Sequence, residues 1–140
     1  MKILLAADGS KFTKKALAFL VTHQGLAGPD DELVVLNVQS PVPPRVRTMV
    51  GAGKVAAYHR DEANGVLDPI KTFLARHDIP SRFEWKTGSI SGEILACAAR
   101  QKVHLIVMGT HGHGLIGRAL MGSVAQRVIT QSDVPVLLVK

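Results

Sequence analysis

Met108-Gly109-Thr110-His111-Gly112-His113-Gly114-Leu115-Ile116-Gly117-Arg118-Ala119-Leu120-Met121-Gly122-Ser123 is the stretch on which the fold of this chain turns. It begins at the end of the apolar run Leu105-Ile106-Val107-Met108 and leads into a pattern with Val124, Val128 and Ile129 at helical spacing. A glycine-rich turn between a buried strand and a helix start gathers backbone N–H groups and the positive end of the helix dipole at one point. That arrangement favours an anion. Glycines let the backbone approach phosphate closely, without side chains in the way.

Working outward, short β-rich runs alternate with longer helical ones. Strands are expected at Lys2–Ala7, Glu32–Val38, Ser81–Thr87, Leu105–Gly109 and Val136–Val139. Ile3-Leu4-Leu5-Ala6-Ala7 and Leu105-Ile106-Val107-Met108 are continuous apolar runs, as in strands covered on both faces. A first helix is expected over Ser10–His23, with Phe12, Ala16, Phe19, Leu20 and His23 on one side and Gly25 and Gly28 beyond its end. A second, Lys54–His77, carries the stripe His59, Ala63, Val66, Leu67, Ile70, Phe73 and Leu74, with Gly65 and Pro69 expected to bend or divide it. A third, Ser91–Gln101, buries Ile94, Leu95 and Ala98, and the last starts near Ser123, buries Val124, Val128 and Ile129 and stops before Pro135. Ser40–Gly53, first Pro-rich and then bearing Arg45, Arg47, Gly51 and Gly53, reads as a flexible loop near the ligand edge of the sheet.

Strands alternating with helices imply an open α/β fold, a parallel sheet with helices on both faces and right-handed crossovers. In such sheets ligands bind at the carboxyl ends of the strands, where the strand order reverses.

Three named patterns compete for the glycine-rich segment. Gly112, Gly114 and Gly117 match the dinucleotide pattern G-x-G-x-x-G, but the strand that follows closes the chain at Lys140 without the acidic residue such a site needs. Gly112 and Gly117 fit a P-loop, but Arg118 and Ala119 stand where its lysine and hydroxyl belong. The third pattern, G-x2-G-x9-G-[ST], is met by Gly109, Gly112, Gly122 and Ser123.

With this third pattern the segment resembles the nucleotide loop of universal stress proteins. Ala6-Ala7-Asp8-Gly9-Ser10, Val34-Val35-Leu36-Asn37-Val38 and Val134-Pro135-Val136-Leu137-Leu138-Val139 resemble the same family, so the likeness covers one domain over residues 1–140. It implies a five-stranded sheet of order 3-2-1-4-5, of the adenine nucleotide alpha hydrolase-like type. It also implies an ATP site, with AMP or ADP as related ligands. Residues matching Ala6, Asp8 and Val38 would meet the adenosine part, and those matching Met108, Gly109, Gly112, His113, Gly122, Ser123 and Val124 would hold ribose and phosphates. Asp8 would accept ribose hydroxyl hydrogen bonds or hold Mg²⁺ through water. Two positions depart from the family pattern. His113 stands where binding members commonly carry Arg or Lys, which bears on phosphate affinity, and His104 stands where Asp is frequent.

The resemblance further implies a homodimer through the C-terminal strand, acting as a regulatory module of the stress response on a protein partner not named by the sequence. A slow Mg²⁺-dependent ATP-hydrolysing or phosphotransfer enzyme and a nucleotide-free dimeric scaffold stay open as alternatives.

Composition narrows the classes. The chain has 140 residues, 46% of them apolar but only 4% aromatic, so an aliphatic core is expected and a second catalytic domain has no room. The net charge of +6 is scattered, with no run of five basic residues and no aromatic platforms, which speaks against nucleic acid. No apolar run reaches the roughly 18 residues that span a bilayer. The N-terminus meets Asp8 and Gly9 too early for a signal peptide. Cys97, the only cysteine, fits a reducing cytosol and lies among alanines as a packed thiol. Each site residue also has a plainer reading. Asp8 with Ser10 would cap the first helix, and Lys11, Lys14 and Lys15 would form a solvated face. His111 and His113, without a matching acidic or thiol ligand, make a weak metal pair. No catalytic base, nucleophile and acid assemble from the pattern.

Overall fold

The computed structural model of the chain describes residues 1–23, 25–112 and 121–140. Its elements run β1 (Lys2–Ala6), α1 (Lys11–Thr22), β2 (Glu32–Gln39), α2 (Pro44–Val50), α3 (Ala52–Leu74), β3 (Ser81–Thr87), α4 (Ile90–Gln101), β4 (Leu105–Gly109), α5 (Ser123–Gln131) and β5 (Val136–Val139). The strands form one sheet in the order β3-β2-β1-β4-β5, and every pairing is parallel.

β1 lies at the centre, its register set by Leu4 opposite Val34 of β2 and opposite Ile106 of β4. Side chains alternate faces along a strand, so β1 feeds two separate cores. Ile3 and Leu5 join Leu33, Val35 and Val107 under Ala16, Leu17 and Leu20 of α1 and Leu67, Ile70 and Leu74 of α3. Leu4 joins Val34, Leu36, Ile106 and Met108 under Ile94, Cys97 and Ala98 of α4 and Ala125 and Val128 of α5. Burying each Leu or Ile contributes about 1.5–3 kcal/mol, and the two aliphatic layers supply this without large aromatics.

Strand positions follow the apolar pattern, with β1 one residue shorter than expected and β2 one longer. On α1 the buried face is Thr13, Ala16, Leu17 and Leu20; Phe12 and Phe19 are half-buried and His23 is exposed. α4 is framed by its termini. The Ser89 hydroxyl accepts from the Gly92 N–H at 3.3 Å, Glu93 stands in the first turn and Arg100 in the last, each favourable to the helix dipole.

Three expectations fail. Ile129 of α5, expected inside, is exposed by 43%. Ser40–Gly53 is not an irregular loop, since Pro44–Val50 is helical with Pro44 at its start, where proline's preset φ helps and its missing N–H costs nothing. Gly51, at φ +87°, then turns the chain from α2 into α3 in a conformation other residues rarely adopt. Nor do Gly65 and Pro69 divide the second long helix, which is continuous from Ala52 to Leu74. Pro69 removes the N–H that would reach the Gly65 carbonyl four residues earlier, but both residues are exposed, so water can serve that carbonyl. His59, Ala63, Leu67, Ile70 and Leu74 hold the opposite face in the core.

Cys97 is fully buried. Burial, and then the nearby Glu84 carboxylate, push its thiol up to about 11, which suits packing rather than nucleophilic attack.

A Cβ on Gly65 would meet nothing within 4 Å, and its φ is not in the left-handed range. Gly65→Ala should therefore stabilise the fold by about 0.8–1 kcal/mol through helix propensity. Urea denaturation checks this, and an unchanged or lowered midpoint would show that α3 needs glycine there.

Candidate functional site

Where β1 and β4 lie side by side, the chain continues from β1 toward one edge of the sheet and from β4 toward the other. A crevice opens beyond their carboxyl ends, as the rule for open α/β sheets requires. Its volume is about 420 Å³, within the range of small-molecule sites.

Of the residues singled out from sequence, Ala6, Asp8, Val38, Met108, Gly109, Gly112, Gly122, Ser123 and Val124 all line this one crevice. They come from four separate segments: the end of β1, the end of β2, the turn after β4 and the start of α5. His113 lies outside the described residues.

Asp8 closes a small turn with its own helix. Its Oδ1 accepts from the Ser10 N–H at 2.9 Å and from the Thr13 hydroxyl at 2.9 Å, while the Thr13 Oγ1 accepts from the Asp8 N–H at 3.1 Å. Gly9, at φ +80°, makes the turn feasible. These bonds form a turn ahead of the helix rather than the expected cap, since Ser10 is the N-cap of α1 and has no side-chain cap hydrogen bond, and they engage one carboxylate oxygen. The other, Oδ2, faces the glycine turn: a Cβ on Gly112 would stand 2.7 Å from it.

Gly109 is fixed by sterics, since a Cβ there would come within 2.4 Å of the Phe12 Cβ and 3.0 Å of the His111 carbonyl oxygen. The end of β4 thus packs directly on the first turn of α1. The turn's two ends are tied together. Thr110 donates its N–H to the Val139 carbonyl at 2.9 Å, and Gly122 donates to the Thr110 carbonyl at 2.7 Å. This pair of bonds holds Gly122, the N-cap of α5, against the sheet end. The first residues of α5, Ser123 to Ala125, consequently form part of the crevice wall. His111 pairs its Nδ1 with the Thr110 hydroxyl at 2.9 Å and lies against the Phe12 ring at 5.4 Å between centroids.

Several lining residues escaped the sequence reading. Asn37 is buried at the end of β2 and donates from Nδ2 to the Ala7 carbonyl at 2.9 Å, fastening β2 to the chain just beyond β1. Gln39 donates to the Asn37 Oδ1 at 3.2 Å and to the His59 carbonyl at 2.8 Å, and its Oε1 meets the His59 Nδ1 at 2.7 Å. This network binds α3 to the crevice floor and gives the buried His59 its partner. α3 adds Glu62 and Val66 to the wall. The one available signal was Asn37 itself, a polar residue inside an apolar strand that needs an internal partner. Glu62 had none.

The profile of the universal stress protein family matches residues 1–140. The chain belongs to that family. A universal stress protein of Thermus aquaticus is 33% identical over 99% of this chain and 97% of its own length. The universal stress protein MJ0531 of Methanocaldococcus jannaschii is 37% identical over a stretch that spans 58% of this chain and about half, 48%, of that relative. Among solved structures, MJ0577 superposes with a TM-score of 0.86 at 28% identity, covering 99% of this chain and 94% of the other. An Arabidopsis thaliana universal stress protein family protein solved with AMP bound shares the fold at a TM-score of 0.70 and 17% identity, covering 100% of this chain and 91% of its own. A universal stress protein in complex with cAMP does so at 0.61 and 19%, covering 99% and 95%. In this universal stress protein, then, the family sheet order is present, and so is a crevice at its reversal point. The His113 departure lies outside the residues described.

Proposed function

We propose that this universal stress protein binds an adenine nucleotide, ATP foremost, in the crevice between β1 and β4 and serves as a homodimeric regulatory module rather than an enzyme. The observation that carries the reading is the convergence of Ala6, Asp8, Val38, Met108, Gly109, Gly112, Gly122, Ser123 and Val124 on one cavity of about 420 Å³. AMP and cAMP in family members of the same fold support the ligand class. Val38, Ala6 and the neighbouring apolar wall cover the base, and Asp8 accepts from the ribose hydroxyls. Gly109, Gly112, Gly122, Ser123 and the amides at the start of α5 receive the phosphates. Mg²⁺ suits the Asp8 oxygen as a hard ligand and would be held there through water, neutralising the phosphates.

Among the described residues β5 pairs only with β4 and so forms a sheet edge, and its four apolar residues are each half-buried. We infer that two copies cover this edge in an isologous contact.

ATP with Mg²⁺ at about 100 times its dissociation constant should stabilise the fold by about 2.7 kcal/mol, a rise of several degrees in melting temperature. Gly122→Val should abolish the rise. Gly122 has φ −73° and ψ 159°, a backbone that valine tolerates, and because the position is buried, circular dichroism first checks that the variant folds. No shift in parent protein first stripped of ligand would contradict the nucleotide reading, and an unchanged shift in Gly122→Val would contradict the loop assignment. Light scattering should give twice the 15.0 kDa chain mass, and a mass near one chain would contradict the dimer.

A further inference from the structure

α2 buries none of its seven residues, yet three of them are large apolar ones. Val46, Met49 and Val50 are exposed by 39%, 79% and 43%, and Tyr58 on the adjoining turn of α3 by 52%. The other large apolar side chains left exposed among the described residues, Met1, Trp85 and Ile129, lie elsewhere in the chain. Between α2 and α3 the surface is concave. Val42, Val46, Val50, Lys54, Val55 and Tyr58 enclose a groove of about 320 Å³. On α2, Val46 and Val50 stand four residues apart with Met49 three beyond Val46, so one face of this short helix offers apolar side chains to a partner, and Val42 adds to it from the chain just before the helix.

Charge sets the partner's character. From Leu33 to Arg60 the chain contains no Asp or Glu. Arg45 and Arg47 flank the stripe on α2, and Lys54 lines the groove itself. No ion pair among the described residues involves any of the three. An apolar groove lined by Lys54 and flanked by Arg45 and Arg47, with its nearest carboxylates in sequence, Asp61 and Glu62, one turn beyond Tyr58, matches a segment that alternates carboxylates with large apolar side chains. Such a segment places apolar anchors in the groove and acidic groups on its rim. Concavity favours inserted side chains over a flat lipid surface, and the apolar lining is foreign to a phosphate backbone.

We propose that the α2–α3 groove is a docking site for an acidic, apolar-studded peptide segment of a protein partner. The contact does not depend on whether the crevice holds a nucleotide.

The probe is a phage-displayed library of random dodecapeptides selected on the immobilised full chain, with the recovered peptides resynthesised and titrated by fluorescence anisotropy. The selected peptides should combine Asp or Glu with Leu, Phe, Ile or Met. Their affinity should fall roughly tenfold or more in Met49→Glu and in the double variant Arg45→Glu, Arg47→Glu, and should weaken as salt shortens the Debye length to about 3 Å. Ile129→Ala, on α5 against the opposite face of the sheet, should bind as the parent does. Met49→Glu should keep the parent's thermal response to ATP, so a failed groove and a failed crevice are told apart. Four results would each overturn the proposal: no acidic-apolar consensus; peptides that bind Met49→Glu and the charge-reversed variant undiminished; a dimer that falls to single chains in Met49→Glu, which makes a second copy the occupant; or phosphatidylglycerol vesicles that bind the parent and compete the peptides away.

Discussion

Parallel pairing of β1 on both of its edges is the constraint from which the rest of this molecule follows. Ile3, Leu4 and Leu5 are wholly inaccessible to water, so every backbone group they carry must find its partner in β2 or β4 and every side chain must be covered from above or below. Ile3 and Leu5 call for α1 and α3, Leu4 for α4 and α5. Because β1 runs on to β2 at one side and β4 to β5 at the other, the chain leaves the adjoining carboxyl ends of β1 and β4 in opposite directions, and a gap opens there. The crevice is thus a consequence of the strand order and not an addition to it.

Short polar bonds keep that gap in shape. Asn37 fastens β2 to Ala7, and Gln39 and His59 fasten α3 to β2. Thr110 and Gly122 fasten the start of α5 to the end of β4. Asp8 is held by Thr13 through one oxygen while its other oxygen faces Gly112. A site whose walls belong to rigid elements gives a ligand little to order on binding. α3 takes part in two surfaces, lining the crevice with Glu62 and Val66 and the outer groove with Val55 and Tyr58.

The legible parts of the sequence were those in which one physical signal dominates. β1 and β4 stood out as unbroken apolar runs, and Gly109, Gly112, Gly122 and Ser123 as a spaced glycine pattern between a strand and a helix start. Strand order came from resemblance, since no local signal encodes it. The helix at Pro44–Val50 was hidden because proline and glycine mark its limits and no buried stripe marks its middle. At Gly65 and Pro69 propensity pointed to a break, but the buried face of α3 outweighed it. Phe12 read as core at helical spacing, whereas contact with Gly109 turns it toward the crevice. Glu62 reaches the site only through the packing of α3 on β2, which one sequence does not display.

The central claim, an adenine nucleotide held where β1 and β4 part, is tested most directly by mapping backbone amide shifts by NMR as ATP and Mg²⁺ are added. The account predicts the largest changes at Ala6 to Ser10, Leu36 to Gln39, Met108 to Gly112 and Gly122 to Ala125, with Ser81 to Glu84 of β3 and Val46 to Val50 of α2 nearly still. Changes centred on any other face of the sheet, or none at saturating nucleotide, would contradict it.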